Sequence, residues 1–211
     1  MENSFVNVLQ KLLNGLRTGN HVEIIHAGGK RILRIFWLNV VHEPEVFRAI
    51  AKLVKIHVEK MGYDVEAVAS IETSGAKYGL AVANELGKPY FSIHKARKLI
   101  FQQPVAAEGF SVTESKPVTL HLDKAVASQF NNVLLIDDVR RTSATINTAA
   151  ALLSECGVSV TACYVIIDLA FAGHPRPEKV PPNRYHPLFV VSAVDDEGKC
   201  VVDEGLVPEF L

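Results

Sequence analysis

Short apolar runs alternate along the chain with segments in which apolar residues recur every three or four positions. Continuous apolar runs are typical of strands buried on both faces of a parallel sheet, and the longer period is typical of helices packed on such a sheet. The pattern predicts an initial helix and then strands alternating with helices. The predicted strands are residues 22–25, 32–36, 67–71, 90–93, 118–122, 133–136 and 159–168, and the predicted later helices are residues 44–60, 76–86 and 145–156.

This alternation predicts an α/β domain with a parallel sheet flanked by helices. Residues 174–187 contain five prolines and predict an extended surface connection. Residues 188–194 and 199–202 flank a Gly-containing turn and predict a hairpin. The initial helix carries an apolar face that is expected to dock on the domain or on a second copy of the chain, formed by Phe5, Val8, Leu9, Leu12, Leu13 and Leu16.

Composition narrows the class of protein. The chain has 211 residues and 48% hydrophobic residues, which allows one domain with a sizeable core. A net charge of −1 argues against a nucleic-acid partner bound through a strongly basic surface. The three cysteines lack metal-ligand spacing and are expected to be reduced, as in the cytoplasm. We see no secretory signal, and no apolar run approaches the roughly 20 residues of a membrane span.

Two acids stand directly after the apolar run at residues 133–136. Asp137 and Asp138 are therefore expected at the carboxyl end of a buried strand, where open α/β sheets bind ligands. The polar segment 141–145 then opens a helix, whose N-terminus favours an anion. A helix N-cap with a solvated neighbour is the alternative interpretation of the two acids.

Two more polar segments follow predicted strands. Residues 71–75 end in Gly75, which would let main-chain amides face a phosphate, and Gly79 is expected to let the next helix pack closely on the sheet. Residues 94–98 contain a basic cluster with Lys95 and Lys98, suited to a polyanion. An ordinary strand-to-helix turn and a solvated basic loop are the respective alternatives.

In this order, the segments resemble the type I phosphoribosyltransferase family, and within it the purine branch of xanthine and adenine enzymes. The resemblance covers roughly residues 32–173. It implies a Rossmann-like α/β fold of one domain, residues 1–211, with a parallel sheet flanked by helices. It also implies a small N-terminal hood at about 1–42 and a flexible flap at about 100–122. Residues 174–211 would form a C-terminal extension.

The resemblance also implies the ligands. Asp137 and Asp138 would be the catalytic acids that hold the ribose of phosphoribosyl pyrophosphate (PRPP). Mg²⁺ would be the cofactor, held mainly through PRPP rather than by a protein metal site. The phosphates of PRPP would be bound by Thr73, Ser74, Gly75, Lys95, Lys98, Arg141, Thr142, Ser143, Ala144 and Thr145.

Four residues are expected near the base. Asn39 matches a base-contacting Asn of the xanthine enzymes, with a turn or cap residue as the alternative; Phe36 would stack on the base or fill the hood. Asp168 fits the acidic residue of the adenine pattern, and Leu169 stands where the xanthine enzymes have Lys. Glu108 and Glu114 are candidates for a flap carboxylate.

The chain departs from the family motif in its phosphate loop. Ser143 stands where the family usually has Gly, and Arg140 and Arg141 are atypical. We expect the Ser143 hydroxyl to donate to phosphate instead. The implied activity is transfer of the 5-phosphoribosyl group from PRPP to a purine base by a cytoplasmic homodimer. The alternative is a non-catalytic purine regulatory protein that senses PRPP with the same fold.

Overall fold

The computed structural model describes residues 2–27, 30–111 and 116–211. Among these residues, no helix has both the length and the apolar character needed to cross a membrane. The helices are α1 (Glu2–Thr18), α2 (Phe36–Asn39), α3 (Pro44–Met61), α4 (Gly75–Leu86), α5 (Lys124–Ala127), α6 (Ala144–Glu155) and α7 (Leu206–Phe210). The strands are β1 (Val22–Ala27), β2 (Lys30–Ile35), β3 (Ala67–Ile71), β4 (Tyr90–Ile93), β5 (Pro104–Ser111), β6 (Lys116–Asp123), β7 (Asn132–Arg140), β8 (Ser159–Asp168), β9 (Tyr185–Val190), β10 (Ala193–Val194) and β11 (Cys200–Val201).

A five-stranded sheet in the order β4-β3-β7-β8-β9 forms the centre, and all of its pairings are parallel. Side chains of β7 alternate between the two faces, as strand geometry requires. Leu134 and Ile136 join the core under α1, α3 and α4, whereas Val133 and Leu135 join the core under α6. The predicted parallel α/β sheet is therefore confirmed, and β3, β4 and β8 have the predicted bounds.

Strand β7 is longer than its apolar run predicts. It continues past Ile136 to Arg140, because β8 reaches equally far and supplies pairing partners up to Asp168. The prediction of a strand ending at residue 136 is thus wrong. Asp137 and Asp138 therefore lie within the paired part of the strand, near its carboxyl end, rather than after it.

The N-terminal helix docks on the domain itself. Its apolar residues Leu9, Leu12, Leu13 and Leu16 are buried, and α1 packs against α3. The β1–β2 hairpin and the short helix α2 follow it, so the predicted hood range corresponds to α1, β1, β2 and α2. Helix α3 begins with Pro44 at its first turn and ends at Gly62, whose φ is 64°.

The predicted flap range contains an antiparallel hairpin of β5 and β6. Residues 112–115, and with them Glu114, lie outside the described residues. The hairpin packs on α6 so closely that a methyl group on Gly109 would come within 2.0 Å of Thr148 Oγ1. At its other end, His121 exchanges backbone hydrogen bonds of 2.9 and 2.7 Å with His94.

The C-terminal segment differs most from the prediction. Residues 185–190 form β9, the fifth strand of the main sheet, rather than part of a hairpin. Only β10 and β11 make the predicted hairpin, around the turn at residues 195–198. The proline-rich segment is not wholly at the surface, because Val180 is buried in the core under α6. It crosses over that face of the sheet to reach β9.

Replacing Gly79 by Ala tests the close packing of α4 on the sheet. An added Cβ would meet Ser70 Cβ at 2.6 Å and the Tyr90 ring at 2.9 Å. We expect the free energy of unfolding to fall by about 1–3 kcal/mol in urea denaturation, because overpacking outweighs the better helix propensity of Ala. Leu80→Ala, at an exposed position of the same helix, is the control and should change little. A more stable Gly79→Ala protein would contradict the tight packing.

Candidate functional site

The carboxyl ends of β3 and β7 meet at one edge of the sheet, where α4 begins. Asp137 on β7 is buried, and its Oδ1 accepts a 2.9 Å hydrogen bond from the backbone N–H of Asp138. An added Cβ on Gly75 would lie 3.0 Å from this same oxygen, so the start of α4 is in close contact with Asp137. The structure thus brings together the predicted acids and the predicted glycine turn.

Burial controls the charge of Asp137. Loss of hydration is the largest effect on its carboxyl group, and the negative charge of Asp138 adds to it, so the pKa of Asp137 lies well above its usual value. The positive charge of Lys95 works in the opposite direction but is too weak to cancel these effects. A buried carboxyl group whose charge is not neutralised by its surroundings favours a ligand that brings donors or positive charge.

The turn after β3 contacts the basic segment after β4. His94 Nδ1 lies 2.7 Å from Glu72 Oε2, and Lys98 Nζ lies 3.4 Å from the same oxygen. Burial opposes ionisation of Glu72, but its contacts with His94 and Lys98 prevail and lower its pKa. Lys98 is therefore paired with a carboxylate, whereas Lys95 is exposed. The Glu72–Thr73 peptide bond is cis, with Thr73 exposed and Ser74 half-buried.

The loop between β7 and α6 has only three residues, 141–143. In the loop, Arg141 is exposed and Thr142 is half-buried, and at the start of α6 Ala144 and Thr145 are half-buried. Ser143 is buried, and its hydroxyl donates a 2.6 Å hydrogen bond to the carbonyl of Pro175. In this structure a backbone acceptor takes the proton of this hydroxyl, and its donation to phosphate stays a prediction.

The short helix α2 of the predicted hood carries two aromatic side chains, one exposed and one buried, and the predicted base-contacting residue Asn39. Phe36 is exposed, whereas Trp37 is buried against Phe189, with ring centroids 5.8 Å apart. Asn39 Oδ1 accepts a 2.9 Å hydrogen bond from the backbone N–H of Ile35. The structure thus places Asn39 in the role of a turn residue, and its amide oxygen is already bonded.

Asp168 does not reach the site surface. Its side chain is 1% exposed, its Oδ1 accepts a 2.7 Å hydrogen bond from Arg140 Nε, and its Oδ2 accepts a 2.8 Å bond from the Tyr185 hydroxyl. Both oxygens are engaged inside the protein, and the contact of Asp168 with a base stays a prediction. Leu169 follows it at a half-buried position.

Sequence reasoning missed Arg140 and Tyr185 as partners of Asp168. A signal for Arg140 exists in the sequence, because equal extension of two neighbouring parallel strands places it opposite Asp168. The sequence gives no comparable indication for Tyr185, because this residue lies in a proline-rich segment whose pattern does not predict a strand.

Comparison with known proteins agrees with this geometry. Residues 37–207 match the family described as the phosphoribosyl transferase domain. The chain is 30% identical over 138 residues to adenine phosphoribosyltransferase of Pelodictyon phaeoclathratiforme, covering 65% of this chain and 76% of that protein. It is 33% identical over 135 residues to the adenine phosphoribosyltransferase of Parvibaculum lavamentivorans, covering 64% and 74%.

A solved structure supports the same fold. Adenine phosphoribosyltransferase from Thermoanaerobacter pseudethanolicus superimposes with a TM-score of 0.68 at 19% identity, covering 84% of this chain and 98% of that one. The family match spans most of the chain and includes β3, α4, β7 and α6, the elements that form the candidate site. The family resemblance seen in the sequence is therefore confirmed: the chain belongs to the phosphoribosyltransferase family and is an enzyme of the pentosyltransferase class.

Proposed function

We propose that the protein transfers the 5-phosphoribosyl group of PRPP to adenine and releases pyrophosphate, as a purine-salvage enzyme. One observation carries the proposal: Asp137 and Asp138 lie beside the start of α4, at the carboxyl ends of the strands. The positive charge of Lys95 acts on Asp137 at the same place. Adjacent carboxylates suit the hydroxyls of a ribose, and a helix N-terminus with nearby cations suits phosphates.

The proposed roles follow the positions of the side chains. Asp137 and Asp138 hold the ribose hydroxyls, and their negative charge stabilises the positive ribosyl centre that forms as pyrophosphate leaves. Lys95, Lys98 and the turn at residues 73–75 bind pyrophosphate. The N-terminal residues of α6 and the loop 141–143 bind the 5′-phosphate through backbone N–H groups. The chemistry consists mainly of positioning and charge stabilisation.

Adenine is proposed rather than xanthine because of the relatives. The two curated proteins and the solved structure named above are adenine phosphoribosyltransferases. The chain also has Leu169 where the xanthine enzymes carry Lys, which removes a donor for a second oxo group. Phe36 is exposed and can stack on a flat ring. The xanthine option has no support among these comparisons.

Mg²⁺ is part of the proposal. Its preference for phosphate oxygens, water and one or two carboxylates fits a site with two adjacent aspartates and a polyanionic substrate. When bound, it would supply positive charge to the pyrophosphate as it leaves. Among the described residues, no three His, Cys, Asp or Glu side chains converge as a metal site.

The homodimer and the cytoplasmic location stay predictions. The apolar face of α1, on which a dimer could have been built, is buried within the chain itself. Leu99 and Ile100 are almost fully exposed and offer a different apolar surface beside the basic segment. Analytical ultracentrifugation of the wild type and of Leu99→Ser would test whether this surface joins two copies.

The direct test of function is incubation of the pure protein with PRPP, Mg²⁺ and one base at a time: adenine, guanine, hypoxanthine, xanthine, uracil or orotate. We expect mass spectrometry to detect the adenine nucleotide in preference to the others. Product from xanthine alone would overturn the choice of base. PRPP binding without any product would favour the regulatory alternative over an enzyme.

Replacing the acids of β7 tests their catalytic role. Asp137→Asn and Asp138→Asn should each lower kcat/KM by about a hundredfold or more, because charge stabilisation of the ribosyl centre is lost. Asp64→Asn is the matched control: Asp64 accepts a 3.1 Å hydrogen bond from Asn132, at the opposite end of β7. Circular dichroism checks that each variant folds. Unchanged steady-state kinetics in both site variants would refute the assignment.

The burial of Asp137 also has a consequence for stability. Its pKa is raised in the folded protein, so the folded state holds this proton more tightly than the unfolded state does. Stability from this group is greatest below the ordinary aspartate pKa and is lost as the pH rises toward the folded pKa. The buried Asp137 carboxyl group therefore lowers the stability of the ligand-free protein as the pH rises above the ordinary aspartate pKa.

We expect Asp137→Asn to raise the thermal unfolding midpoint at pH 7.5 and to raise it less as the pH approaches 4. Asn is neutral at every pH and can still accept the hydrogen bond from Asp138. For a chain of this size, a gain of about 1 kcal/mol corresponds to about 2–4 °C. The measurement is differential scanning calorimetry over this pH range. A difference that does not depend on pH would mean that Asp137 does not titrate there.

A further inference from the structure

Arg140 is the last residue of β7 and is 2% exposed. Its Nε and Nη2 both donate to Asp168 Oδ1, the former at 2.7 Å. Its Nη1 donates to the carbonyls of His174 and Pro175 at 3.0 and 3.1 Å. The guanidinium thus joins the ends of β7 and β8 to the backbone that follows β8.

Ser143 reaches the same backbone from the other end of the loop. Its hydroxyl donates to the Pro175 carbonyl, which Arg140 also contacts, so two donors three residues apart meet one acceptor. Only Arg141 and Thr142 lie between them. Both ends of the short loop are therefore attached to one point of the chain more than 30 residues away.

The backbone at Ser143 does not require glycine. Its φ of −88° and ψ of 2° are accessible to any L residue. What the substitution adds is the hydroxyl and its bond to Pro175. A loop that binds phosphate through backbone N–H groups gains affinity when its shape is fixed in advance, because less ordering has to occur on binding.

From this arrangement we infer that Arg140 is a positioning residue for the phosphate loop and that Ser143 acts with it. Together they tie loop 141–143 to the His174–Pro175 backbone and hold it in the shape that receives the 5′-phosphate. Two of the three departures from the family motif, Arg140 and Ser143, thus act together on the same loop. This inference rests on the proposed function only for the identity of the ligand.

Arginine is suited to this position because one planar group must serve three acceptors. Asp168 neutralises its charge, and the Tyr185 hydroxyl donates to the second oxygen of the Asp168 carboxylate. A lysine could keep the ion pair with Asp168 but could not also reach both carbonyls with fixed geometry. Arg140→Lys therefore separates the loop contacts from the buried charge pair.

The test compares three variants. Arg140→Lys and Ser143→Ala should each raise KM for PRPP by about tenfold, with kcat and KM for the base little changed, because a hydrogen bond that orders the loop is lost. Amide hydrogen exchange at residues 141–145 of the ligand-free protein should become faster in both. Tyr185→Phe is the control, since it weakens the same buried network but leaves the loop contacts in place. It should lower thermal stability without changing KM for PRPP or exchange in the loop.

Two results would overturn the inference. One is unchanged loop exchange in folded Arg140→Lys and Ser143→Ala, and the other is an equal rise of KM for PRPP in Tyr185→Phe. If Arg140→Lys does not fold, Ser143→Ala alone decides, because the ion pair between Arg140 and Asp168 is intact in that variant. Loop exchange is measured without substrate, so the inference can be judged even if the wild type turns over none of the bases. Binding of ribose 5-phosphate, measured by calorimetry, then replaces KM.

Discussion

Strand β7 keeps its pairing with β8 beyond its apolar residues, through Asp137 to Arg140. Backbone hydrogen bonds must be satisfied where the chain is buried, and β8 supplies them up to Asp168. This pairing fixes the direction in which two acids leave the sheet and the point at which the phosphate loop begins. The other parts of the candidate site, including the start of α4 and the N-terminus of α6, are arranged around that strand end.

The ends of β7 and β8 carry two buried carboxyl groups in opposite electrostatic conditions. Asp168 is buried with a guanidinium and a phenol as partners, whereas Asp137 is buried against Asp138 and the start of α4. The first arrangement is balanced within the protein, and the second is completed only by a ligand. Such uncompensated groups reduce stability and are characteristic of functional sites. The contrast distinguishes a structural acid from a site acid more clearly than their positions in the sequence do.

Local patterns were sufficient for much of the fold. Apolar runs predicted β3, β4 and β8 to the residue, whereas the strand that carries Asp137 and Asp138 continues to Arg140 instead of ending at residue 136. The side-chain partners that the sequence did not predict depend on contacts between residues far apart in the chain. The hydroxyl of Ser143 finds its acceptor 32 positions away, and Asp168 finds Tyr185 on a strand concealed by prolines. No periodicity encodes such partners, because they exist only after β9 joins the sheet.

The basic segment after β4 raises a further question of charge balance. Cations meant for a polyanion repel one another when the site holds no ligand, and free lysine side chains lose conformational entropy when they are ordered. The Glu72 carboxylate, on the turn next to Thr73, contacts both His94 and Lys98. Its negative charge offsets the repulsion between cations, and its contact with Lys98 holds that side chain in place before a ligand binds. A pyrophosphate group that binds there competes with the Glu72 carboxylate for Lys98, whereas Lys95 is exposed and is attracted only through its charge to Asp137. In the proposed reaction, Lys95 is thus available at first encounter, and Lys98 engages only by giving up part of its contact with Glu72.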